Sequence, residues 1–510
     1  MRKGLPIFIA AGMIVTTFAG CSSKGDDRAA ATPTPGGEGA TAVKEQTFTF
    51  LDNSHPSWPY NKDALVWKLF KEKTGVTLDV QVPSGKIEDA LSVTVASGNL
   101  PDLMFTLSKG LADKYGQQGA LVNILDYAKD MPNFKKWMSE HPTETQNALS
   151  SDGKMYLFPN QGIGETNRMN WMYREDVFKK LGLSEPQTWD DLYASLKKIK
   201  EAYPKSYPLS FRSGLQYIRN FAPAFQTGHD MYYSFEQKTW RYGPVEDNYK
   251  KLIEYLNKFY KEGLIPPDFL SVDTKVWQDL MSTDRAFVTV DYIGRIDFFN
   301  SALRKDNPAF NLAFMATPAG WSGGPRKNAY TQYVEAGFMV SSTSKKIKDV
   351  MKFFDFFYTE EGRNLVSWGK EGTTYQTVNG KKQFIEKYAD VADLRKKTGL
   401  STDGAYILFD YDAHLSLSSP ELQTAYKQAP QYDSEQQPRP AFTPEEMEIL
   451  STVGDTITKK RDENITKFIL GERSLDEWPK YVEEMKKLGL DKITEIYKTA
   501  HDRSQKAQQK

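Results

Sequence analysis

The chain has 510 residues with 66 basic and 66 acidic side chains, so its formal net charge is zero. That balance argues against a partner that is bound by bulk charge, whether nucleic acid or an anionic membrane surface. A hydrophobic fraction of 39% and an aromatic fraction of 13% supply ample core, and the length exceeds what one core usually supports, so two lobes are expected.

Arg2 and Lys3 precede an apolar run from Leu5 to Phe18, which ends in Ala19-Gly20-Cys21-Ser22-Ser23. Charged start, apolar middle and small residues at the end make a secretory signal peptide over residues 1–20. The run is about 14 residues, short of the ~20 a spanning helix needs. Cys21 is the only cysteine in the chain. Its setting resembles the lipobox of bacterial lipoproteins, with Phe18 where Leu is usual. The resemblance implies that Cys21 is acylated and becomes the mature N-terminus. The alternative is an ordinary secreted protein in which Cys21 has no role. With Cys21 lipidated no disulfide is available, so stability must come from burial. Ser22 to Gln46 holds almost no large apolar residue and reads, with Cys21, as a flexible tether over 21–46.

Order is expected from Thr47, where Phe48 and Phe50 alternate with threonines as in a strand. Asn61 to Lys73 reads as a helix stopped by Gly75. Val76 to Val82 alternates as a second strand. Lys86 to Ala96 is a second helix, and Asp102 to Thr106 a third strand. Strand, helix, strand, helix, strand implies a parallel sheet with right-handed crossovers, whose ligands collect beyond the strands' carboxyl ends. The loop 52–60 lies at such an end. Further on, Thr188 opens a helix with a capping box, Tyr249 to Glu262 is a helix, and Ala286 to Tyr292, Asn311 to Met315 and Ala336 to Val340 read as strands. Thr443-Pro444-Glu445-Glu446 and Ser474-Leu475-Asp476-Glu477 start C-terminal helices.

Several segments then carry a resemblance. They are Ser97-Gly98-Asn99-Leu100-Pro101-Asp102, the run Gly153 to Pro159, Arg174 to Leu183 followed by Pro186 to Asp191, Tyr260 to Ile265, Thr359 to Gly362, and Trp368 to Gly372. In order and spacing they resemble the extracellular solute-binding proteins of ABC importers, family 1, in the cluster of large Gram-positive lipoproteins associated with sugar and oligosaccharide uptake. The resemblance implies an α/β, periplasmic-binding-protein-like fold of type II, two lobes with a hinge and a ligand cleft between them. It places lobe 1 at 47–161 plus 311–342, lobe 2 at 167–305 plus 345–500 with the C-terminal helices, and crossings near 159–167 and 338–344. Many relatives carry an acidic calcium loop. Here Glu201 to Pro208 offers one carboxylate, where calcium takes six or more oxygens, so no metal and no cofactor is expected.

A sugar offers an apolar face and a rim of hydroxyls, which aromatic planes and planar polar groups complement. Trp58 and Tyr60, on either side of Pro59 in the loop 52–60, either meet ligand or staple that loop. Asn160, Asn167 and Arg168 fall in the first crossing, or else in a plain solvated linker. Arg212 could grip hydroxyls or a carboxylate, or form a structural ion pair. Tyr292 and Arg295 end a strand. Trp321 lies among glycines, and Trp368, Glu371 and Tyr375 share one motif that could equally be structural. Trp171 reads as core.

Two other classes remain open. A secreted glycoside hydrolase or lyase needs paired carboxylates, which 66 acidic residues could supply. No G-x-S-x-G, H-E-x-x-H or P-loop pattern occurs, however, and the five histidines follow no ligand spacing. A surface lipoprotein without transport would bind no small solute. The expectation is a non-enzymatic, monomeric receptor on the outer face of the cell membrane, held there by its lipid. It takes an oligosaccharide, hands it to ABC permease subunits, and has no nucleic-acid partner.

Overall fold

The computed structural model describes residues 45–440 and 442–508. The signal peptide, Cys21 and nearly all of the tether lie outside the described residues. Among these residues no helix is long and apolar enough to cross a membrane.

The strands run β1 (Gln46–Leu51), β2 (Val76–Gln81), β3 (Leu103–Thr106), β4 (Met169–Arg174), β5 (Met231–Ser234), β6 (Thr239–Tyr242), β7 (Val288–Tyr292), β8 (Leu312–Met315), β9 (Gly337–Val340), β10 (Tyr375–Val378) and β11 (Lys381–Phe384). The first lobe is built on the order β2-β1-β3-β9. β1 pairs in parallel with β2 and β3, and β9 closes the edge antiparallel to β3. The helix Leu65–Thr74 ends at Gly75 in the left-handed conformation (φ 73°), which a residue with no Cβ adopts without strain. The sheet is buried on both faces. Phe48, Phe50, Leu103 and Phe105 pack towards the helices Leu65–Thr74 and Ile347–Phe357. Leu51, Met104 and Met339 pack towards Ile87–Ser97. Alternation along each strand divides the apolar residues between the two layers.

The second lobe is built on β7-β4-β8, antiparallel throughout. Trp171 is buried in the larger core, beside Trp189 and Phe221. Met172 points to the other face, onto Leu312 and Phe299. Thr188 caps the helix Trp189–Ala202 through a reciprocal box with Asp191. Thr443 does the same with Glu446. Ser474 accepts only from Asp476 N–H and opens a short 3-10 turn before the helix Trp478–Lys487. The hairpins β5–β6 and β10–β11 had no clear signal in the sequence.

The lobe boundaries differ from expectation in two places. Residues 312–315 pair with β4 in the second sheet, so the return crossing is 316–336 and not 338–344. And the stretch from Ile347 to Phe409, expected in lobe 2, supplies Val350, Phe353, Phe354, Leu365 and Tyr406 to the first lobe's core. Its helix Ile347–Phe357 packs its aromatic face on Phe48 and Phe70. Helical periodicity marks a face for burial but does not say which core buries it. The two-lobed α/β architecture itself is the one expected.

Candidate ligand-binding cleft

A cleft of about 1430 Å³ is lined by residues from both lobes. The loop after β1, Leu107 after β3, the end of β7 and the following helix Arg295–Leu303 line it. These are carboxyl ends of strands, where α/β sheets place ligands. The segment 381–392 and Arg395, from the helix Val391–Thr398, complete the first lobe's side.

On the first wall, the Trp58 indole stacks on the His55 imidazole, with ring centroids 3.7 Å apart and planes at 6°. Ser57 N–H donates to His55 Nδ1 at 3.1 Å, which leaves the other ring nitrogen to carry the proton. Burial pulls the His55 pKa down, and Arg395 adds to this against Asp403. The Arg395 guanidinium lies 4.6 Å from the Trp58 ring centroid, a cation–π contact. Asn53 Nδ2 donates to Asp403 Oδ2 at 2.9 Å.

On the second wall, Asp291 is fully buried and accepts from four groups. Arg212 Nε reaches Oδ2 at 2.6 Å, and Tyr217 O–H reaches it at 3.2 Å. Arg295 Nε and Tyr292 N–H reach Oδ1 at 3.0 and 2.9 Å. The carboxylate thereby fixes both arginines, and Arg295 and Tyr292 line the cleft. Apolar surface is left open beside these groups. Leu107, Tyr292, Phe298 and Ile385 are 43%, 37%, 48% and 48% exposed. The lining carboxylates already hold internal partners. Asp297 accepts from Ser419 N–H and Oγ at 2.8 and 2.5 Å. Asp390 caps its helix, and Glu386 pairs with Lys397 at 2.8 Å.

Of the residues singled out from sequence, Trp58, Asn167, Tyr292 and Arg295 meet in this cleft. Arg212 stands behind it, on Asp291. Tyr60 lies in an adjoining hollow against Trp67 and staples its loop. Asn160 ties the two crossings together, donating to Val334 O and Ala336 O at 3.1 and 2.6 Å. Arg168 is buried in ion pairs with Asp433 and Glu165. Trp321 packs half-buried on the second lobe's core. Trp368 is 1% exposed and donates to Asp410 at 2.8 Å, with Tyr375 packed in the same small core. Glu371 is exposed elsewhere and accepts from Thr377. His55, read from the sequence as a satisfied loop histidine that could also bond ligand, lies in the cleft. Asn53, Phe298, Ile385, Arg395 and Asp403 were missed. Asn53 sits in the loop already flagged, and Phe298 follows Arg295 by one helical turn. Nothing local marks the others, which reach the cleft only through the placement of 375–409 on the first lobe.

The arrangement offers aromatic planes, exposed apolar surface and fixed planar donors. That suits a polar ligand with apolar faces. Comparison with known proteins agrees. The family described as bacterial extracellular solute-binding protein matches residues 52–364. The fructooligosaccharide ABC transporter substrate-binding protein FusA of Streptococcus pneumoniae serotype 4 is 24% identical, with 96% of each chain covered. The polygalacturonan/rhamnogalacturonan-binding protein YtcQ of Bacillus subtilis is 26% identical, with 95% of each covered. Among solved structures, the alginate-binding protein AlgQ2 without calcium ion superposes with a TM-score of 0.74 at 24% identity, covering 91% of this chain and 100% of that one. FusA of S. pneumoniae in complex with kestose gives 0.72 at 20% identity, with the same coverage. At these identities the superpositions speak for the fold. The family match spans more than half of the sequence, and the chain belongs to the bacterial extracellular solute-binding proteins.

Proposed function

We propose that this protein is a lipid-anchored extracellular receptor that captures a saccharide of oligosaccharide size and delivers it to the permease of an ABC importer. The observation that carries this reading is a cleft contributed by both lobes, with the Trp58–His55 stack on one wall and Tyr292 and Phe298 exposed on the other. Two relatives named for sugars, FusA and the melibiose/raffinose/stachyose-binding protein MelE of Bacillus subtilis, support a carbohydrate ligand. So does YtcQ. Cys21 is the acylated residue, and the lipoprotein LipO of Bacillus subtilis, 25% identical over 352 residues, supports an anchor.

The mechanism follows from two-state binding. Ligand that touches both walls binds the closed arrangement better than the open one, and that difference in affinity is what drives closure. The crossings 159–168 and 316–336 carry the motion. The permease then reads the closed outline of the two lobes and not the ligand itself. No chemical step is required, and the chain acts as a monomer.

A thermal-shift screen over neutral and acidic oligosaccharides tests the reading, since bound ligand adds RT ln(1 + [L]/Kd) of stability. At least one sugar is expected to raise Tm and to shrink the radius of gyration in small-angle scattering. Silence across the panel, or turnover of any glycan, overturns it. Cys21→Ala is expected to release the protein from the membrane fraction, and retention would refute the anchor.

A further inference from the structure

The charge on the first wall of the cleft is left unanswered by the protein. Arg395 makes no hydrogen bond through its guanidinium and no ion pair among the described residues, and its Nε is buried without a partner. A guanidinium has five donors in a planar fork, and in this half-buried one they are left to water until something displaces it, when an unpartnered cation becomes unfavourable. Its stacking on Trp58 satisfies none of those donors.

Asp403 is the nearest carboxylate and acts on Arg395 only at a distance. Asp403 is committed to Asn53 and forms no ion pair with Arg395. Asp52, behind it, is buried, and burial pushes its pKa up, towards loss of charge. His414, which lines the same cleft, is held down to about 3 by burial and by Arg395, so it is neutral. Across the cleft, Arg212 and Arg295 share the single carboxylate of Asp291, and Asp297 on the same wall is bonded to Ser419. When the lobes close on a neutral guest, the Arg395 guanidinium loses the water that serves its free donors and gains nothing in return, a cost that grows as the local dielectric falls.

We infer that the guest is an acidic saccharide, an oligosaccharide bearing uronate carboxylates, and that Arg395 receives a carboxylate on the first wall while Arg295 faces it from the second. This rests on the saccharide reading above. A carboxylate matches the guanidinium fork with two parallel hydrogen bonds, and it bridges the walls by meeting Arg295 from the other side. Trp58 beside Arg395 offers the plane on which the sugar ring lies. The lining acids are each already bonded within their own wall and do not reach Arg395.

The test uses the full mature protein and titration calorimetry with oligogalacturonates and oligomannuronates of three to five residues. Each is compared with its carboxyl-reduced, neutral counterpart and with neutral fructo- and malto-oligosaccharides. A uronate series is expected to bind about 10- to 100-fold tighter than the same chain without its carboxyls, with affinity falling as salt rises. Arg395→Gln is expected to lose most of that factor, and Arg395→Lys to recover part of it. Equal affinity for acidic and reduced chains, or binding of neutral sugars alone, overturns this inference and leaves the saccharide reading standing. Binding of no sugar at all overturns both. The comparison of ligands on the unmodified protein decides the matter even if the Arg395 variants do not fold.

Discussion

The two walls of the cleft hold arginine in opposite ways. On the second, Asp291 grips Arg212 and Arg295 while Tyr217 and a backbone N–H complete its shell. On the first, Arg395 rests on Trp58 with no carboxylate of its own. The difference separates structure from recognition. A cation whose partner is internal is part of the scaffold and is positioned before ligand arrives. A cation without one keeps its donors for something outside the chain.

Four experiments would break or sharpen that contrast. The largest effect is expected from Asp291→Ala, which leaves Arg212 and Arg295 facing each other without their shared counter-charge. Loss of about 3–5 kcal/mol in chemical denaturation is expected, and a loss near zero would show that the second wall is not held by this carboxylate. Next is the joint between the walls. A Cβ on Gly164 would stand 1.8 Å from Gln332 O of the opposite crossing, so Gly164→Ala is expected to cost about 1–3 kcal/mol. An unchanged denaturation midpoint would argue that the crossings are loosely packed.

Acid gives the third. His229, inside the second lobe on Tyr249 O–H at 2.7 Å, is held down to about 3 by burial first and then by Arg461. His414 at the cleft is also near 3, through burial and Arg395. The unfolded chain takes up these protons below about 6.5, whereas the native chain resists until near 3. Stability is therefore full above 6.5 and falls on acidification by about 1.4 kcal/mol per pH unit for each histidine. His229→Gln should flatten that slope in urea melts between pH 6.5 and 4. Arg395→Gln should raise the His414 value and leave His229 unmoved, which histidine NMR titration reads directly. The smallest effect is on the stability of Arg395→Gln itself. With no ion pair to lose, the change should stay under about 1 kcal/mol, and a loss as large as that of Asp291→Ala would make Arg395 a scaffold residue after all.

Local pattern carried much of this fold. The alternation at Phe48 and Phe50, the αL stop at Gly75 and the capping boxes at Thr188 and Thr443 place elements within a residue or a few of where they stand. Each is decided by neighbours a few positions away. The same segments that carry the family resemblance prove to be joints. Gly98 ends a helix in the left-handed conformation, Arg174 is buried between Asp176 and Asp284, and Trp368 sits in a small core. A tryptophan in a recognisable motif thus says little about ligand. Trp58 could be found because it sits in a loop just past a strand end, where a parallel-sheet argument already looks, and Tyr292 because it closes the strand β7.

What the residue order determined alone is the first lobe's opening elements and their parallel winding, with a few capped helices further on, because helix and strand periods and their stops are short-range. Which core received the aromatic face of Ile347–Phe357, and so which wall received Arg395, was decided only in three dimensions. The amphipathic pattern of that segment fits either lobe equally well. Contact of Phe353 with Phe48 and Phe70, residues remote from it in the chain and brought to it only by closing a long loop, settles it.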